Sequence, residues 1–386
     1  MGNRAPRLLA VIVIILLNAI PAVSAADNSW ANADARLKFK QTVMAIYNTY
    51  HPLYFAIGLE VNTYYQYHPD DFANFVSLYT ECYDAIRASP GGSSTAVYPV
   101  FQLERMQGIG TAVGYSGVAQ WAILDQFGGK IDLLVFTTYP EVEYATPADI
   151  PSDYYTGIYA SVPGALQSRK IAFSEIGWNS DNLISVTGTS NSYLSQVAFI
   201  DRFAVLVNPL KDAGQVEFVV WAYMHDTIAT GTFDPFRTIG LKDCHGDPKG
   251  PANDVWNEWK SFGNIEESSF KIGIGPIPRN FPGSSAADWM DMYTQVPDVA
   301  TLLLAQTEWY DTPDQAGEIP QLFPALNAAY SIHHAQLVYG INFFTQDGNP
   351  LIPSLVVNTT VAPATSTASA PVNITLLKFW FGESDD

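Results

Sequence analysis

Hydrophobic and polar positions along the chain form two alternating patterns. Short runs rich in β-branched and aromatic residues predict buried strands, and stretches with apolar residues three and four positions apart predict helices. The predicted strands are Tyr54–Val61, Ala96–Glu104, Ile131–Tyr139, Lys170–Trp178, Val216–His225, Ser269–Ile277, Asp298–Trp309 and Ala335–Phe344. The predicted helices are Asp34–Tyr50, Asp70–Ala88, Ser116–Phe127, Asp153–Leu166, Asn191–Ala213, Asn253–Phe262, Ala286–Gln295 and Gln321–His333.

This regular alternation predicts the fold class. Strands that are apolar along nearly their whole length belong to a parallel sheet with both faces covered, and the helices supply the cover. Eight such units need about 250 residues or more in a (β/α)8 barrel, so we expect an α/β fold, a TIM barrel, over residues 26–350. Residues 351–386 differ in composition, because Asn358–Pro371 is rich in Thr, Ala, Pro and Ser. That composition predicts a flexible tail.

The first 25 residues have the features of a secretory signal. Met1–Arg7 carries two arginines, Leu8–Ala19 is an apolar run, and Val23–Ala25 supplies small residues at a cleavage position. The alternative is a membrane anchor, but the run is shorter than the roughly 20 residues that a spanning helix needs. We therefore expect a signal peptide over 1–25 and a secreted, extracellular protein with no membrane association after cleavage.

Composition narrows the range of partners. The chain carries 38 Asp and Glu against 19 Lys and Arg, a formal charge of −19. This acidity excludes nucleic acid as the main partner, because phosphate binding needs a basic face. Aromatic residues make up 13% of the chain and charged residues only 15%, which favours a large core and flat stacking surfaces. The sequence shows no glycine-rich phosphate loop and no cluster with metal-ligand spacing, so we expect neither a cofactor nor a metal.

Two carboxylates stand out among the residues that end predicted strands, where the reactive groups of such barrels lie. Glu60 follows apolar residues in IGLEVN, and Glu175 does so in FSEIGW. Burial raises the pKa of a carboxyl group at such a place, and a second carboxylate nearby stays ionised. Two carboxyl groups whose pKa values differ in this way can serve as acid/base and nucleophile in the cleavage of a glycosidic bond. Glu104 and Glu308 also end predicted strands, and a supporting or structural role is the simpler expectation for both.

The segments around these residues resemble a known enzyme clan. IGLEVNTY, FSEIGW and VVWAYMHD are similar, in this order, to the fourth-, seventh- and eighth-strand motifs of the (β/α)8-barrel glycoside hydrolases with two catalytic glutamates. The resemblance implies a retaining hydrolase acting on a β-linked polysaccharide by double displacement. It implies that Glu60 is the acid/base, that Glu175 is the nucleophile, that Tyr139 orients the nucleophile and that Trp221 forms the floor of the sugar site.

One position departs from the motif of the clan. The Asn that precedes the acid/base is Leu59 here, and a leucine cannot hydrogen-bond a sugar hydroxyl. Asn62 and Asn342 are the candidates to replace it. Trp178 is a further candidate for stacking on a sugar, and Glu308 is the reserve carboxylate. If no group replaces the Asn, the alternative is a catalytically inactive carbohydrate-binding barrel.

The order of the motifs also departs from the clan. The segment resembling the fourth strand comes first, and three strand–helix units follow the segment resembling the last helix. Our interpretation is a circular permutation, with strands four to eight in 26–262 and strands one to three in 263–350. The alternatives are a fragment of a tandem barrel protein and a gene-model error. A permuted barrel, which we expect to be a monomer, predicts that Ser269–Ile277 pairs with Val216–His225 and that Ala335–Phe344 pairs with Tyr54–Val61.

Overall fold

The computed structural model describes residues 29–181, 191–227, 237–263 and 270–275, together with the backbone of five further strands. The helices are α1 Ala33–Tyr50, α2 Val61–Tyr67, α3 Pro69–Ala88, α4 Leu103–Gln107, α5 Ile158–Ser161, α6 Tyr193–Asp212 and α7 Asp254–Gly263. The strands are β1 Tyr54–Ile57, β2 Ala96–Tyr98, β3 Val100–Gln102, β4 Leu134–Thr138, β5 Ile171–Ile176, β6 Val216–Trp221, β7 Lys271–Ile274, β8 Leu302–Trp309, β9 Leu337–Asn342, β10 Thr359–Val361, β11 Val372–Ile374 and β12 Leu377–Lys378. The predicted signal peptide and the predicted helices Ala286–Gln295 and Gln321–His333 lie outside the described residues.

Nine strands form one continuous parallel path. Their order is β2-β1-β9-β8-β7-β6-β5-β4-β3, and every neighbouring pair is parallel. The pairings β1–β9 and β6–β7 confirm the two contacts predicted from the sequence. The two ends of the path, β2 and β3, are separated in the chain by Pro99 alone. Proline cannot donate a backbone hydrogen bond to a neighbouring strand, which explains why Ala96–Gln102 is divided into two short strands.

The sheet is strongly curved. Tyr54 on β1 and Phe218 on β6 are four steps apart along the path, yet their ring centroids lie 4.8 Å apart. Neighbouring strands are about 4.8 Å apart, so a flat sheet would separate these two strands by roughly 19 Å. The Tyr54 hydroxyl also donates to Oε1 of Glu217 over 2.6 Å. Residues from distant strands therefore meet inside the curve of the sheet, near the N-terminal ends of the strands.

Helices cover the outer face of the sheet, and their ends follow local sequence signals. Helix α1 begins after Asn32, whose side-chain oxygen accepts from the backbone N–H of Asp34 and Ala35. Helix α3 begins at Pro69, a residue suited to the first helical position. Apolar positions of α1, α3, α6 and α7 are buried in the main hydrophobic core. Among the residues that the structure describes, none of the helices combines the length and apolar character that crossing a bilayer requires.

Some predicted elements are shorter than expected. The expected helix Ser116–Phe127 is a 3-10 helix over Trp121–Phe127 only. The stretch before it contains four glycines with positive φ, which favour turns over a helix, at Gly108, Gly110, Gly114 and Gly117. In the region expected to be a flexible tail, β10 pairs with β11, and β12 pairs with β8 in antiparallel fashion.

Candidate active site

Three residues on neighbouring strands share one level of the sheet near its C-terminal edge. Thr137 on β4 is the register partner of Gln102 on β3 and also of Glu175 on β5. The C-terminal edge of a parallel sheet is where reactive groups collect in α/β enzymes. Polar side chains on this row can therefore act on the same ligand.

A break in the strand register determines which way Glu175 faces. Phe173 packs into the helical layer, with its ring 5.1 Å from Tyr155 and 5.4 Å from Phe203. Simple alternation along the strand would place Glu175 on that same face. Instead the β4–β5 register shifts by one residue after Phe173, so that Glu175 pairs with Thr137. Such irregularities re-aim side chains next to active sites, and this one turns Glu175 away from the helices.

Glu60 comes to this row from a different strand. It follows β1 and precedes α2 with φ 47° and ψ 44°, a left-handed conformation that is uncommon for a residue with a side chain. Its Oε1 accepts a hydrogen bond from Oγ1 of Thr137 over 2.6 Å. Burial raises the pKa of Glu60, while the hydrogen bond from Thr137 and the charge of Arg105 act in the opposite direction. Thr137 thus joins one predicted catalytic residue to the row that holds the other.

Tyr139 donates its hydroxyl proton to Oε2 of Glu175 over 2.5 Å. Burial raises the pKa of Tyr139 well above its usual value, and the charge of Glu175 adds to this effect. The charges of both Glu175 and Glu60 also raise the pKa of Tyr139 and of the buried Tyr223. The two phenols therefore stay protonated and can act as hydrogen-bond donors. Both carboxylates lie close enough to Tyr139 and Tyr223 for their charges to raise the pKa of each phenol.

Two further acids are buried beside the site. Glu104 is fully buried and accepts from Thr138, Tyr154 and the backbone of Tyr139, and burial raises its pKa to about 7. Glu141 accepts from the backbone and side chain of Asn179, and burial raises its pKa to about 8. Neither carboxylate has a cationic partner within salt-bridge distance in the described part of the chain.

Both tryptophans expected to bind sugar lie elsewhere. Trp221 is fully buried, packs against Trp259 of α7 at 5.5 Å, and donates its indole N–H to the carbonyl of Ile239 over 2.9 Å. Trp178 is also fully buried, with its ring 5.5 Å from Phe199 of α6. Both rings belong to the layer between sheet and helices. Neither ring has a face open to a ligand, so this packing does not support the expectation that they stack on a sugar.

Asn62 also has a different place from the one expected. Its Nδ2 donates to the carbonyl of Gln102, and its Oδ1 accepts from the backbone N–H of Gln102, both over 2.9 Å. The side chain is fully buried. This amide is occupied in tying α2 to the end of β3, which does not support the prediction that Asn62 contacts substrate.

The remaining two candidates are described only by their backbone. Glu308 on β8 is the register partner of Asn342 on β9, at the end of both strands. Their side chains lie outside the described residues, so their roles stay predictions.

The structure adds residues that the sequence patterns did not single out. Thr137 donates a hydrogen bond to Glu60, and the charges of Glu60 and Glu175 raise the pKa of Tyr223. The guanidinium of Arg105 lies 3.9 Å above the ring of Tyr115, and its charge acts on Glu60. A polar pair at the end of an apolar strand, as in FTTY, was the available signal for Thr137. In the described portion of the chain, no three His, Cys, Asp or Glu residues are grouped so that they could hold a metal ion.

Comparison with known proteins finds only distant structural likenesses. No family model matches the sequence, and no curated protein is significantly similar to it. Among solved structures, a type I 3-dehydroquinate dehydratase from Clostridium difficile aligns with 10% identity and a TM-score of 0.30, covering 58% of this chain and 72% of that one. A psychrophilic glycoside hydrolase family 10 endo-β-1,4-xylanase aligns with 13% identity and a TM-score of 0.30, covering 59% of this chain and 90% of that one. Likenesses at this level carry no argument about activity.

Proposed function

We propose that this protein is a retaining glycoside hydrolase in which Glu175 is the nucleophile and Glu60 the acid/base. The observation that carries the proposal is the position of Thr137. Its hydroxyl binds Glu60, and its register partner is Glu175. Cleavage of a glycosidic bond by double displacement uses two neighbouring carboxyl groups, one protonated and one ionised, and the contacts of Thr137 support such a pair.

We further propose that the curved sheet is a closed, circularly permuted (β/α)8 barrel. The strand path starts on β2 and ends on β3, which flank Pro99 in one segment. The contact between Tyr54 and Phe218 across four strand positions supports closure. The pairings β1–β9 and β6–β7 support the permuted order over two separate half-sheets. A closed barrel would present Glu60 and Glu175 at one rim.

The reaction assigned to the site has two steps. The ionised carboxylate of Glu175 attacks the anomeric carbon, the glycosidic C–O bond breaks, and Glu60 gives its proton to the leaving oxygen. Glu60, now ionised, takes a proton from water, the water oxygen bonds to the anomeric carbon, and the bond to Glu175 breaks. The Tyr139 hydroxyl holds the attacking carboxylate in place at 2.5 Å. No cofactor or metal takes part in these steps.

We assign a β-linked polysaccharide as substrate and secretion as the setting. The acidic chain and its apolar run at residues 8–19 support an extracellular protein that acts on a neutral polymer. We further propose that the secreted protein is a monomer that binds no nucleic acid.

A panel of β-glucan, mannan, galactan and xylan, incubated with the wild type and with Glu175→Gln, tests the proposal. We expect the wild type to release reducing ends from at least one polymer. The isosteric amide in Glu175→Gln should reduce that rate by at least about 10³-fold. Equal rates for the two proteins on every polymer would contradict the mechanism.

One observation favours a second function, a carbohydrate-binding barrel without hydrolysis. Leu59, which stands where the clan has an Asn, is only 3% exposed and belongs to the apolar core. The variant Leu59→Asn separates the two functions. A large gain of hydrolysis would indicate an enzyme whose activity has decayed, whereas an active wild type with little change in the variant would indicate that another group binds the sugar hydroxyl.

A further inference from the structure

We propose that Glu104 is a positioning residue that fixes Tyr139 and, through the Tyr139 hydroxyl, holds Glu175 in its reactive orientation. The inference rests on the proposed function for its catalytic consequence, but its structural content stands by itself. Neither the clan resemblance nor the reaction described above assigns a role to this side chain.

Every hydrogen bond described for the Glu104 side chain has its carboxylate as the acceptor. Oε1 accepts from Oγ1 of Thr138 over 2.7 Å, from the Tyr154 hydroxyl over 2.7 Å and from the backbone N–H of Tyr139 over 3.0 Å. Oε2 accepts from Nε2 of Gln102. A fully buried carboxylate that receives four donors is oriented completely by its surroundings.

The orientation of Gln102 is itself fixed. Its Oε1 accepts from the backbone N–H of Arg105 over 2.7 Å and so caps helix α4. The amide cannot turn over to offer oxygen to Glu104 without losing that cap. Any substitution that adds hydrogens to the Glu104 position therefore brings two donors face to face.

An ordinary buried ion pair does not account for Glu104. Within the described ranges no Lys, Arg or His lies within salt-bridge distance of it, and the nearby Arg105 stacks on Tyr115 and donates to Gln66. The titratable groups that face Glu104 are instead phenols, namely Tyr115, Tyr144, Tyr154 and Tyr155. Glu104 is therefore held by neutral hydrogen-bond donors and not by a cation, so its role is to be sought in the groups that donate to it.

The positioning role of Glu104 follows from the groups that donate hydrogen bonds to it. It binds the side chain of Thr138 and the backbone N–H of Tyr139, the last residue of β4 and the residue after it. The same Tyr139 reaches Glu175 through its hydroxyl. On the other side, Gln102 is tied to Asn62, two residues after Glu60. Glu104 therefore lies at the centre of a hydrogen-bonded chain that joins the supports of both proposed catalytic glutamates.

The test combines a crystal structure with kinetics on Glu104→Gln. In either orientation the glutamine NH2 faces a donor, which is Nε2 of Gln102 in one and the backbone N–H of Tyr139 in the other. The side chain must therefore shift, and we expect its bond to the backbone of Tyr139 to lengthen. We expect the distance from the Tyr139 hydroxyl to Oε2 of Glu175 to exceed about 3.5 Å, outside hydrogen-bond range. An unchanged distance of 2.5 Å would overturn the inference.

Kinetics separate positioning from general loss of structure. We expect kcat to fall by about 10- to 100-fold with little change in KM, and the acidic limb of the kcat/KM profile to move to higher pH. In the Tyr139→Phe background, Glu104→Gln should cost less than about threefold, because the route to Glu175 is already broken. Full additivity of the two substitutions would overturn the inference. Glu141→Gln is the matched control, since it also neutralises a buried carboxylate but one bound to Asn179.

The two readouts keep the two proposals separate. If the wild type cleaves no glycan but the Tyr139 hydroxyl moves away from Glu175 in Glu104→Gln, the positioning role stands and the hydrolase proposal fails. If activity falls without that movement, Glu104 acts in some other way and the positioning role fails. Should Glu104→Gln not fold, Thr138→Val removes one neighbouring donor and is measured by the same distance and the same double-mutant cycle.

Discussion

The hydroxyl of Thr137 lies 2.6 Å from Oε1 of Glu60, although 77 residues separate them in the chain. One strand further on, the register partner of Thr137 is Glu175. A single threonine thus connects two carboxylates that the sequence singled out independently. The chemistry proposed for the site depends on this convergence.

Replacing Thr137 by Val tests the contact with Glu60. The hydrogen bond from Thr137 lowers the pKa of Glu60 against the larger effect of burial, so its removal should raise that pKa further. The basic limb of the kcat/KM profile reports a protonated acid/base, and we expect it to move to higher pH by about half a unit or more. Ser174→Ala is the control, because the buried Ser174 hydroxyl has no hydrogen-bond partner among the residues that the structure describes. A basic limb that moves equally in both variants would argue against the contact.

Tyr139→Phe removes a hydroxyl that donates to Oε2 of Glu175. We expect kcat to fall by about 10- to 100-fold, since a hydrogen bond to a charged group contributes about 1.5–3 kcal/mol. Steady-state kinetics on the best polymer of the panel measures the change. Tyr98→Phe deletes a buried hydroxyl on β2 that has no hydrogen-bond partner within the described ranges. It should leave kcat within about twofold, and a comparable loss in both variants would contradict the assignment.

The buried ion pair between Lys249 and Asp226 is expected to stabilise the loops that follow β5 and β6 in the chain. Nζ of Lys249 lies 2.7 Å from Oδ1 of Asp226 and also donates to Ser180, Gln196 and the carbonyl of Thr238. Lys249→Met leaves the carboxylate of Asp226 buried without its cation and should cost about 3–5 kcal/mol in the free energy of unfolding.

Chemical denaturation measures that loss. The exposed pair of Lys130 and Asp84 provides the comparison, and Lys130→Met should cost less than about 1 kcal/mol. Equal losses in the two variants would show that burial does not determine how much the Lys249–Asp226 pair contributes to the free energy of unfolding.

Stability should depend on pH through Glu141. Burial raises the pKa of its carboxyl to about 8 from an ordinary value of 4.5, so between these values the folded state binds more protons than the unfolded state. The free energy of unfolding therefore falls as pH rises from about 4.5 to 8, by up to roughly 5 kcal/mol for this group. Glu104, with a pKa of about 7, contributes in the same direction.

Glu141→Gln removes the titrating group and should flatten this pH dependence. Urea denaturation of the wild type and the variant at pH 5, 6.5 and 8 measures the difference. If the wild type gains stability over this range, or if the two proteins show parallel curves, the carboxyl of Glu141 is not protonated in the folded state.

The strand pattern of the sequence predicted most of the sheet, because buried parallel strands are almost continuously apolar. The pairing of β1 with β9 and of β6 with β7 was predicted from the order of motifs and is observed. The register shift at Thr137 could not be predicted, since a bulge leaves no signature in the alternation of FSEI. The packing of the tryptophans could not be predicted for a related reason. Trp221 occupies an outward position on β6, and only the packing against Trp259 reveals that direction.

The two candidate acids could be singled out from the sequence, but the residues that contact them could not. Glu60 and Glu175 stand out because charged residues are rare at the ends of apolar strands. Thr137 and Gln102 are ordinary polar residues whose roles arise from register between strands distant in sequence. Asn62 was expected to face substrate, but its amide matches the backbone groups of Gln102 and is used there.

Covalent trapping tests the central claim most directly. A fluorinated aryl β-glycoside of the preferred sugar slows release of the glycosyl-enzyme, and peptide mass spectrometry then locates the modified residue. We predict a single modified peptide that contains Glu175 in the wild type, and no modification in Glu175→Gln. A label on another carboxylate, or turnover with no covalent species at Glu175, would contradict the account.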